Sequence, residues 1–157
     1  MTSLFIQGPS LYTEDGIIEN ASLSIHEDCI EAFFSCHDNY SNSVTFPSSY
    51  SIIPGYIDLH VHGVAGVDVM DATPEALNTM SQMLAREGTT SFLATTMSMS
   101  IENIYSAIKN VASYLQTPHE NGAQILGLHL EGPFIAPDKM GAHQKKIFAR
   151  PQYRVNS

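Results

Sequence analysis

The spacing of apolar residues changes near residue 54. Residues 4–53 carry short β-like segments, such as 21–25 and 30–34, and a polar stretch over residues 35–43. Short apolar segments bounded by polar and turn-forming residues are typical of strands. The pattern predicts a small β-rich region over residues 1–53, which ends where Pro54 and Gly55 interrupt the regular structure.

Residues 54–157 form a second region, in which strand-like runs alternate with helical spacing. Strands are predicted over residues 54–63, 91–97 and 124–131. Thr73 is a suitable N-cap, and Pro74 occupies the first position of the helix that follows. Gly88 ends this helix, and Ser100 caps a second one. The order β, α, β, α, β with connections of this length predicts an α/β fold with parallel strands and right-handed crossovers.

Two histidines lie near the end of the first predicted strand of this region. Side chains alternate between the faces of a strand, so His60 and His62 project the same way with backbones about 7 Å apart. Asp58 shares their face, and the opposite face takes Ile57, Leu59 and Val61. Two imidazoles at this spacing can converge on one divalent cation. By itself the pair is equally consistent with two structural histidines near a turn.

A glutamate ends the third predicted strand. Alternation places one set of side chains on a common face, Ile125, Gly127, His129 and Glu131, and the other set opposite, Leu126, Leu128 and Leu130. A buried carboxylate must be paired or must coordinate a metal, because an isolated buried charge is costly. Gly132 and Pro133 stop the strand, so Glu131 lies at its carboxyl end, where barrel and open α/β enzymes keep their chemistry.

The two strand ends together suggest a metal site. His60, His62 and Glu131 form a plausible ligand set for zinc or a similar ion. His129 lies one pleat deeper in its strand than Glu131. We interpret His129 as a hydrogen-bonded interior histidine rather than a ligand.

Length and composition limit the classes of protein. The chain has 157 residues, of which 43% are hydrophobic and 15% charged, as in a globular protein. No apolar run approaches the roughly 20 residues of a membrane span, and the first residues do not resemble a signal peptide. We therefore expect a cytoplasmic protein, and we interpret Cys29 and Cys36 as reduced thiols.

The net charge of the chain argues against two classes of binding partner. A formal net charge of -9 argues against binding to nucleic acid or to an anionic membrane surface. Most of the seven basic residues follow Glu131, namely Lys139, Lys145, Lys146, Arg150 and Arg154. This segment is interpreted as a solvated loop, with attraction of an anionic substrate such as a sugar phosphate as the alternative.

Two sequence motifs resemble a known enzyme family. The string PGYIDLHVHG resembles the first barrel strand of the amidohydrolase superfamily. HLEGPF followed by KMGAH resembles one branch of it, the N-acetylglucosamine-6-phosphate deacetylases, and the match runs from about residue 53 to residue 143. The resemblance implies the first part of a (β/α)8 TIM-type barrel, about three βα units, preceded by a β-rich region that belongs to a small β-sandwich domain.

The resemblance also implies a reaction and roles for individual residues. Glu131 matches the metal-binding glutamate of the family, and His60 with His62 matches a histidine pair used for a second metal position. Ala142 and His143 match a segment that contacts the substrate. The implied reaction is metal-dependent hydrolysis of N-acetylglucosamine 6-phosphate to glucosamine 6-phosphate and acetate. The implied cofactor is a divalent ion, expected to be zinc, with one or two per subunit, and the full-length enzyme would be a homodimer.

Several groups that the resemblance requires are expected on later barrel strands. These groups are two further metal-binding histidines and the catalytic aspartate of the family, and a whole barrel takes about 250 residues. The aspartate is therefore expected beyond Ser157, the last residue of this sequence. Neither Asp58 nor Asp138 is an acceptable substitute, so no catalytic residue is assigned in this chain.

The missing groups lead to an expectation about activity. We expect the 157-residue chain, read as a fragment, to be inactive alone. The alternatives for its function are a cyclic amidohydrolase of the dihydroorotase or hydantoinase type, and a non-catalytic remnant or interaction module.

Overall fold

The computed structural model describes residues 3–8, 10–34, 40–47, 49–117, 121–136 and 138–141. The chain divides into two compact units, and the boundary lies between Pro54 and Gly55. The first unit is built from strands, and the second alternates strands with helices. Among the described residues, no helix is both long enough and apolar enough to cross a membrane.

The described residues of the first unit form two sheets of short strands. Its described strands are β1 Leu4–Gln7, β2 Ser10–Thr13, β3 Gly16–Glu19, β4 Ser22–His26, β5 Cys29–Phe34, β6 Ser43–Thr45 and β7 Ser51–Ile52. One sheet has the order β5-β4-β1-β6, and the other has the order β3-β2-β7. The segments predicted over residues 21–25 and 30–34 therefore correspond to β4, which is shifted by one residue, and to β5, which begins one residue earlier.

In its described residues, the second unit contains a parallel sheet and two α-helices. Its elements are β8 Tyr56–Val61, β9 Gly63–Val64, β10 Val67–Asp68, a 3-10 helix Val69–Asp71, α1 Pro74–Arg86, β11 Thr89–Thr95, α2 Ile101–Tyr114 and β12 Gln124–His129. The main sheet has the order β12-β11-β8, and β11 pairs in parallel with both neighbours. The predicted α/β order is confirmed, and the short β9–β10 hairpin after the histidine pair was not predicted.

Both helices begin where the sequence predicts. The Thr73 hydroxyl accepts a hydrogen bond from the Ala76 N–H at 3.2 Å, and Pro74 is the first residue of α1. The Ser100 hydroxyl accepts from the Asn103 N–H at 3.3 Å at the start of α2. Each cap satisfies an N–H group that has no partner within its helix.

The helices and one face of the sheet enclose the core of the second unit. Phe92 and Ala94 of β11 are fully buried in it. Their neighbours in the core are Val69, Leu77, Met80, Leu84, Ala107, Val111, Tyr114, Ala123 and Ile125. Burial of a large apolar side chain contributes roughly 1.5–3 kcal/mol, so this core fixes the sheet that carries the candidate site.

A register shift between β11 and β12 corrects the simple alternation expected from the sequence. Phe92 pairs with Ile125 whereas Leu93 pairs with Gly127, so β12 carries one extra residue, Leu126. This bulge moves Ile125 to the side of the buried Phe92, away from the face predicted for it. Leu128, which was predicted on the opposite face, packs against the same core as Ile125.

A similar irregularity occurs in β8. Phe92 pairs with Asp58 whereas Ala94 pairs with Val61, so β8 advances three residues where β11 advances two. Asp58 therefore does not share a face with the two histidines, because a single extra residue reverses the alternation. Beyond the bulge, Val61 packs against the core, and His60 and His62 project to the other side.

Candidate metal centre

Three side chains meet at the carboxyl edge of the parallel sheet. The Nε2 atoms of His60 and His62 lie 3.3 Å and 3.0 Å from Oε2 of Glu131, and 3.2 Å from each other. Among the described residues, these three form the group of histidine, cysteine and acidic side chains close enough to hold a metal ion. The structure thus brings together the three residues predicted to converge, and their role as metal ligands stays a prediction.

The strand order explains why the three side chains meet. His60 lies in β8, and His62 immediately follows that strand. Glu131 follows β12 by two residues, and β11 lies between the two strands. Since the strands are parallel, their carboxyl ends share one edge, and side chains from the outer strands can reach across the end of β11.

Hydrogen bonding fixes the orientation of the His62 ring. Its Nδ1 lies 3.2 Å from the carbonyl oxygen of Thr95, and a carbonyl can only accept, so Nδ1 donates. In the neutral ring the lone pair on Nε2 then faces the Glu131 carboxylate, which is also an acceptor. Two acceptors at this distance repel each other unless a proton or a cation lies between them. Nε2 of His60, Nε2 of His62 and Oε2 of Glu131 form a triangle. A single proton can remove the repulsion along one side of this triangle, whereas one cation can bind all three atoms.

The size of the triangle fits a first-row divalent ion. Zinc bound tetrahedrally at about 2.0–2.1 Å places its ligand atoms about 3.3 Å apart. The three separations in the structure, 3.0 Å, 3.2 Å and 3.3 Å, are close to that value. Two imidazole nitrogens and one carboxylate oxygen also match the ligands that zinc accepts in enzymes. The donor set therefore fits the ion that the sequence implies.

The candidate centre is partly open to solvent. The side chains of His60, His62 and Glu131 retain 48%, 30% and 28% of their accessible surface. Catalytic zinc sites keep three protein ligands and one open position for water or substrate, whereas structural sites are closed by four protein ligands. Three ligands leave room for water, for substrate or for the further histidines that the resemblance implies.

Two neighbouring polar residues remain outside the triangle. The Asp58 carboxylate accepts a hydrogen bond from the His60 N–H at 3.0 Å, within the bulge of β8. His129 Nδ1 lies 3.0 Å from the Leu59 carbonyl and donates to it, and its ring stands edge-on to the His60 ring. The hydrogen bond predicted for His129 is thus present, but the residue is half-buried and not interior as predicted.

The backbone around the ligands is held by contacts that the sequence did not predict. The Val69 N–H donates to the His62 carbonyl at 2.8 Å, so the segment after the β9–β10 hairpin returns to the histidine pair. The Thr96 hydroxyl contacts the backbone of Glu131, and the Thr95 hydroxyl accepts from the Val61 N–H. A pair of hydroxyl residues at the carboxyl end of a strand was the only sequence signal for these contacts.

Some of the predicted site residues cannot be placed. Ala142 and His143, the predicted substrate contacts, lie outside the described residues, as does Cys36. The same holds for most of the basic segment, Lys145, Lys146, Arg150 and Arg154. The roles predicted for these residues stay predictions.

The catalytic aspartate implied by the resemblance is predicted to lie beyond Ser157. Ser157, beyond which the catalytic aspartate is expected, also lies outside the described residues. Among the described acidic side chains, Glu131 is the one that belongs to the cluster with the two histidines. The position of the aspartate beyond Ser157 is therefore not tested by the structure and stays a prediction.

Three further residues that the sequence singled out are described. Lys139 and Asp138 are exposed, which agrees with the solvated loop expected for that region. Cys29 is an exposed free thiol.

Comparison with known proteins identifies a family and several relatives. The sequence model of the amidohydrolase family matches residues 51–155. Over 153 residues the chain is 39% identical to the N-acetylglucosamine-6-phosphate deacetylase of Bacillus subtilis (strain 168), a match that covers 95% of this chain and 38% of that protein. Over 138 residues it is 40% identical to the N-acetylgalactosamine-6-phosphate deacetylase of Escherichia coli O157:H7, covering 88% of this chain and 35% of that protein.

A solved structure resembles the fold over nearly the whole chain. The crystal structure of N-acetylglucosamine-6-phosphate deacetylase from Pasteurella multocida superposes with a TM-score of 0.86 at 25% sequence identity. The match covers 96% of this chain and 40% of that one. The chain therefore spans well under half of the length of each relative named here.

Proposed function

The chain belongs to the amidohydrolase family, and we propose that it is the amino-terminal part of a metal-dependent deacetylase. The proposed substrate is N-acetylglucosamine 6-phosphate, and the products are glucosamine 6-phosphate and acetate. The observation that carries the proposal is the convergence of His60, His62 and Glu131 at the carboxyl edge of a parallel sheet. Similarity to amino-sugar-phosphate deacetylases supports the substrate class.

The proposal includes the architecture of the longer protein. The sheet β12-β11-β8 with α1 and α2 would be the beginning of a (β/α)8 TIM-type barrel. The two small sheets of the first unit would belong to a β-sandwich domain. Parallel βα order and the similarity to the Pasteurella multocida enzyme support this assignment. In a barrel of this kind the chemistry lies at the carboxyl ends of the strands, where the three candidate ligands meet.

In the proposed mechanism, His60, His62 and Glu131 would hold the divalent ion, for which zinc fits the donor set. When bound, such an ion supplies a water whose pKa is lowered to about 7 and polarises the amide carbonyl. Glu131 compensates charge at the site, and His62 is held by the Thr95 carbonyl with Nε2 directed inward. A residue beyond Ser157 would move the proton to the leaving amine, because no described carboxylate other than Glu131 belongs to the cluster.

A second candidate substrate is N-acetylgalactosamine 6-phosphate. The relative from Escherichia coli O157:H7 is named for that sugar, and its identity to this chain is 40%. The two sugars differ only in the configuration of one ring hydroxyl, so the same metal-assisted hydrolysis would serve both. Discrimination between the two sugars requires a polar group that contacts this hydroxyl. A site built to hydrogen-bond a hydroxyl in one configuration rejects a substrate that does not place a hydroxyl there.

A chimera tests the proposal. Residues 1–157 would replace the matching amino-terminal part of the Bacillus subtilis deacetylase, and release of each amino-sugar phosphate would be assayed with and without zinc. We expect metal-dependent turnover by the chimera and none by the 157-residue chain alone, because the proton-transferring residue is proposed to lie beyond Ser157. A folded, zinc-loaded chimera that hydrolyses neither sugar would contradict the proposed function and favour a non-catalytic remnant.

A further inference from the structure

Two buried threonines end the central strand of the parallel sheet. Thr95 is the last residue of β11, and Thr96 follows it. Both are fully buried, and they lie between the strand that carries the histidines and the strand that leads to Glu131. Their hydroxyl groups therefore cannot be solvated, and each must find a partner in the protein.

Thr96 holds the backbone of Glu131 by two hydrogen bonds. The Glu131 N–H donates to the Thr96 hydroxyl at 3.1 Å, and the same hydroxyl donates to the Glu131 carbonyl at 3.3 Å. The Thr96 N–H also donates to the His129 carbonyl at 3.0 Å, so the pairing of β11 with β12 continues one residue past the strand ends. The direction in which the Glu131 side chain leaves the backbone is thereby fixed relative to β11.

Thr95 makes the corresponding contacts toward the histidine strand. Its hydroxyl accepts from the Val61 N–H at 3.1 Å and donates to the Leu93 carbonyl at 3.2 Å. Its carbonyl accepts from Nδ1 of His62 at 3.2 Å. Val61 separates the two candidate histidine ligands in the sequence, so this contact fixes the backbone from which both project.

The Thr95 contact adjoins an interruption of the sheet, whereas the Thr96 contact lies just beyond the last pair of the β11–β12 ladder, Thr95 with His129. The register between β8 and β11 shifts between Phe92 and Ala94, and the register between β11 and β12 shifts between Phe92 and Leu93. Side-chain hydroxyls then take backbone partners that an uninterrupted ladder would provide. At the carboxyl edge, Thr95 and Thr96 thus add hydroxyl contacts that tie the segments carrying the candidate ligands to the central strand.

We propose that Thr95 and Thr96 are positioning residues that set the separation between the histidine pair and Glu131. The inference rests on the proposed function, because it concerns the spacing of the metal ligands. Outer groups that orient metal ligands typically change metal affinity by about 10–100-fold when they are removed. Thr96 acts on the carboxylate, and Thr95 acts on the backbone and ring of the histidine segment.

The test is a zinc titration of the 157-residue chain and its variants, read by competition with a chromophoric chelator. Thr96→Val keeps the shape of the side chain and removes the hydroxyl, and we expect it to weaken zinc binding by about 10–100-fold. Thr95→Val should weaken it by a smaller factor, because the carbonyl that orients His62 remains. Thr96→Ser restores the hydroxyl and should restore the affinity to within about threefold.

Ser81→Ala is the matched control. The buried Ser81 hydroxyl holds the backbone of Ala123 at the opposite end of β12, and no candidate ligand lies there. We expect this variant to bind zinc like the unaltered chain. Affinity unchanged in Thr96→Val, or reduced equally in Ser81→Ala, would overturn the positioning role.

A metal-free measurement separates this inference from the proposed function. Amide hydrogen exchange reports the hydrogen bonds of the Glu131 and Val61 N–H groups directly. Both amides should be protected in the unaltered chain, and each should lose protection in the variant of its own threonine. If the chain alone binds no zinc, the ion needs the two further histidines expected on later strands, and exchange alone decides the positioning role. Rapid exchange of the Glu131 amide in the unaltered chain would reject it.

Discussion

The two ends of strand β12 are held by similar contacts, but only one end carries a candidate ligand set. At the amino end, the Ser81 hydroxyl donates to the Ala123 carbonyl at 2.7 Å, and the Ala123 N–H donates to the Ser81 carbonyl at 2.9 Å. At the carboxyl end, the Thr96 hydroxyl forms two hydrogen bonds with the backbone of Glu131. In both places a buried hydroxyl residue fixes the backbone next to the strand.

A glycine stands beside each of these contacts. Gly122 has a φ of 139°, and a Cβ at this position would lie 2.2 Å from the Ser81 hydroxyl oxygen. Gly132 has a φ of 79°, and a Cβ there would lie 2.0 Å from the hydroxyl oxygen of Ser98. Both turns need a residue without a side chain, because the backbone conformation and the close approach exclude any other.

The comparison shows that hydrogen bonds between a buried hydroxyl and the backbone can serve stability at one end of a strand and function at the other. At the amino end the residue that is held is Ala123, which is part of the apolar core. At the carboxyl end it is Glu131, whose carboxylate meets two histidines. We therefore expect substitutions at the amino end to change the free energy of unfolding, and substitutions at the carboxyl end to change metal binding and turnover.

The largest expected effect is that of Glu131→Ala in the chimera with the Bacillus subtilis enzyme. Loss of the carboxylate removes an atom that contacts both histidines, so we expect turnover to fall by more than about 1,000-fold, since metal activation supplies several kcal/mol. The assay is release of glucosamine 6-phosphate at saturating zinc. Glu131→Gln, which keeps the shape of the side chain, is the control for folding, and appreciable turnover by metal-free Glu131→Ala would reject the assignment.

The double variant His60→Ala, His62→Ala should lower the metal content of the same chimera. Two imidazole ligands are removed while the carboxylate remains, so we expect zinc affinity to fall by at least about 10–100-fold, the range typical of weaker perturbations at metal sites. Metal analysis after dialysis against limiting zinc measures this loss. Unchanged zinc content would mean that the histidine pair has only a structural role.

Ser81→Ala should have the contrasting effect at the amino end of β12. The variant leaves the buried carbonyl of Ala123 without its hydroxyl donor, which typically costs about 1–3 kcal/mol of unfolding free energy. Urea unfolding of the metal-free chain measures this cost. A loss of metal affinity without a loss of stability would show that the two ends of the strand are not separate in function.

The smallest expected effect is a pH dependence of stability at the amino end. Burial raises the pKa of Tyr114, and a hydrogen bond with Ser81 lowers it in part. The pKa of Tyr114 is therefore higher in the folded chain than in the unfolded chain, where it is about 10. The contribution of Tyr114 to the free energy of unfolding is complete below that unfolded pKa, and it is lost as the pH rises through the folded pKa. In urea unfolding, the free energy of unfolding should decline more steeply with rising alkaline pH in the unaltered chain than in Tyr114→Phe. Equal declines in the two proteins would contradict this prediction.

The sequence predicted the three parallel strands and both α-helices described in the second unit, and the meeting of the three candidate ligands, but not the β9–β10 hairpin. The caps at Thr73 and Ser100 identified both helices, because their hydroxyls accept from N–H groups in the first helical turn. The strand-end positions of the histidine pair and Glu131 were sufficient to predict that they converge. Their convergence follows from parallel strand order, which the alternation of strands and helices implies.

The sequence did not predict which residues support the site. Strict alternation misplaced Asp58 and Ile125, since each precedes or adjoins a bulge that reverses the faces of the strand. The contacts of Thr95 and Thr96 depend on register between strands far apart in the sequence, and no local pattern specifies that register. Tertiary pairing, rather than local propensity, therefore determines these features.

X-ray absorption at the zinc edge of the zinc-loaded 157-residue chain tests the central claim most directly. If His60, His62 and Glu131 hold one ion, the spectrum should show nitrogen and oxygen donors at about 2.0–2.2 Å. It should also show the outer-shell scattering of two imidazole rings, which the double variant His60→Ala, His62→Ala should lack. Sulfur donors, or an unaltered spectrum in that variant, would contradict the account.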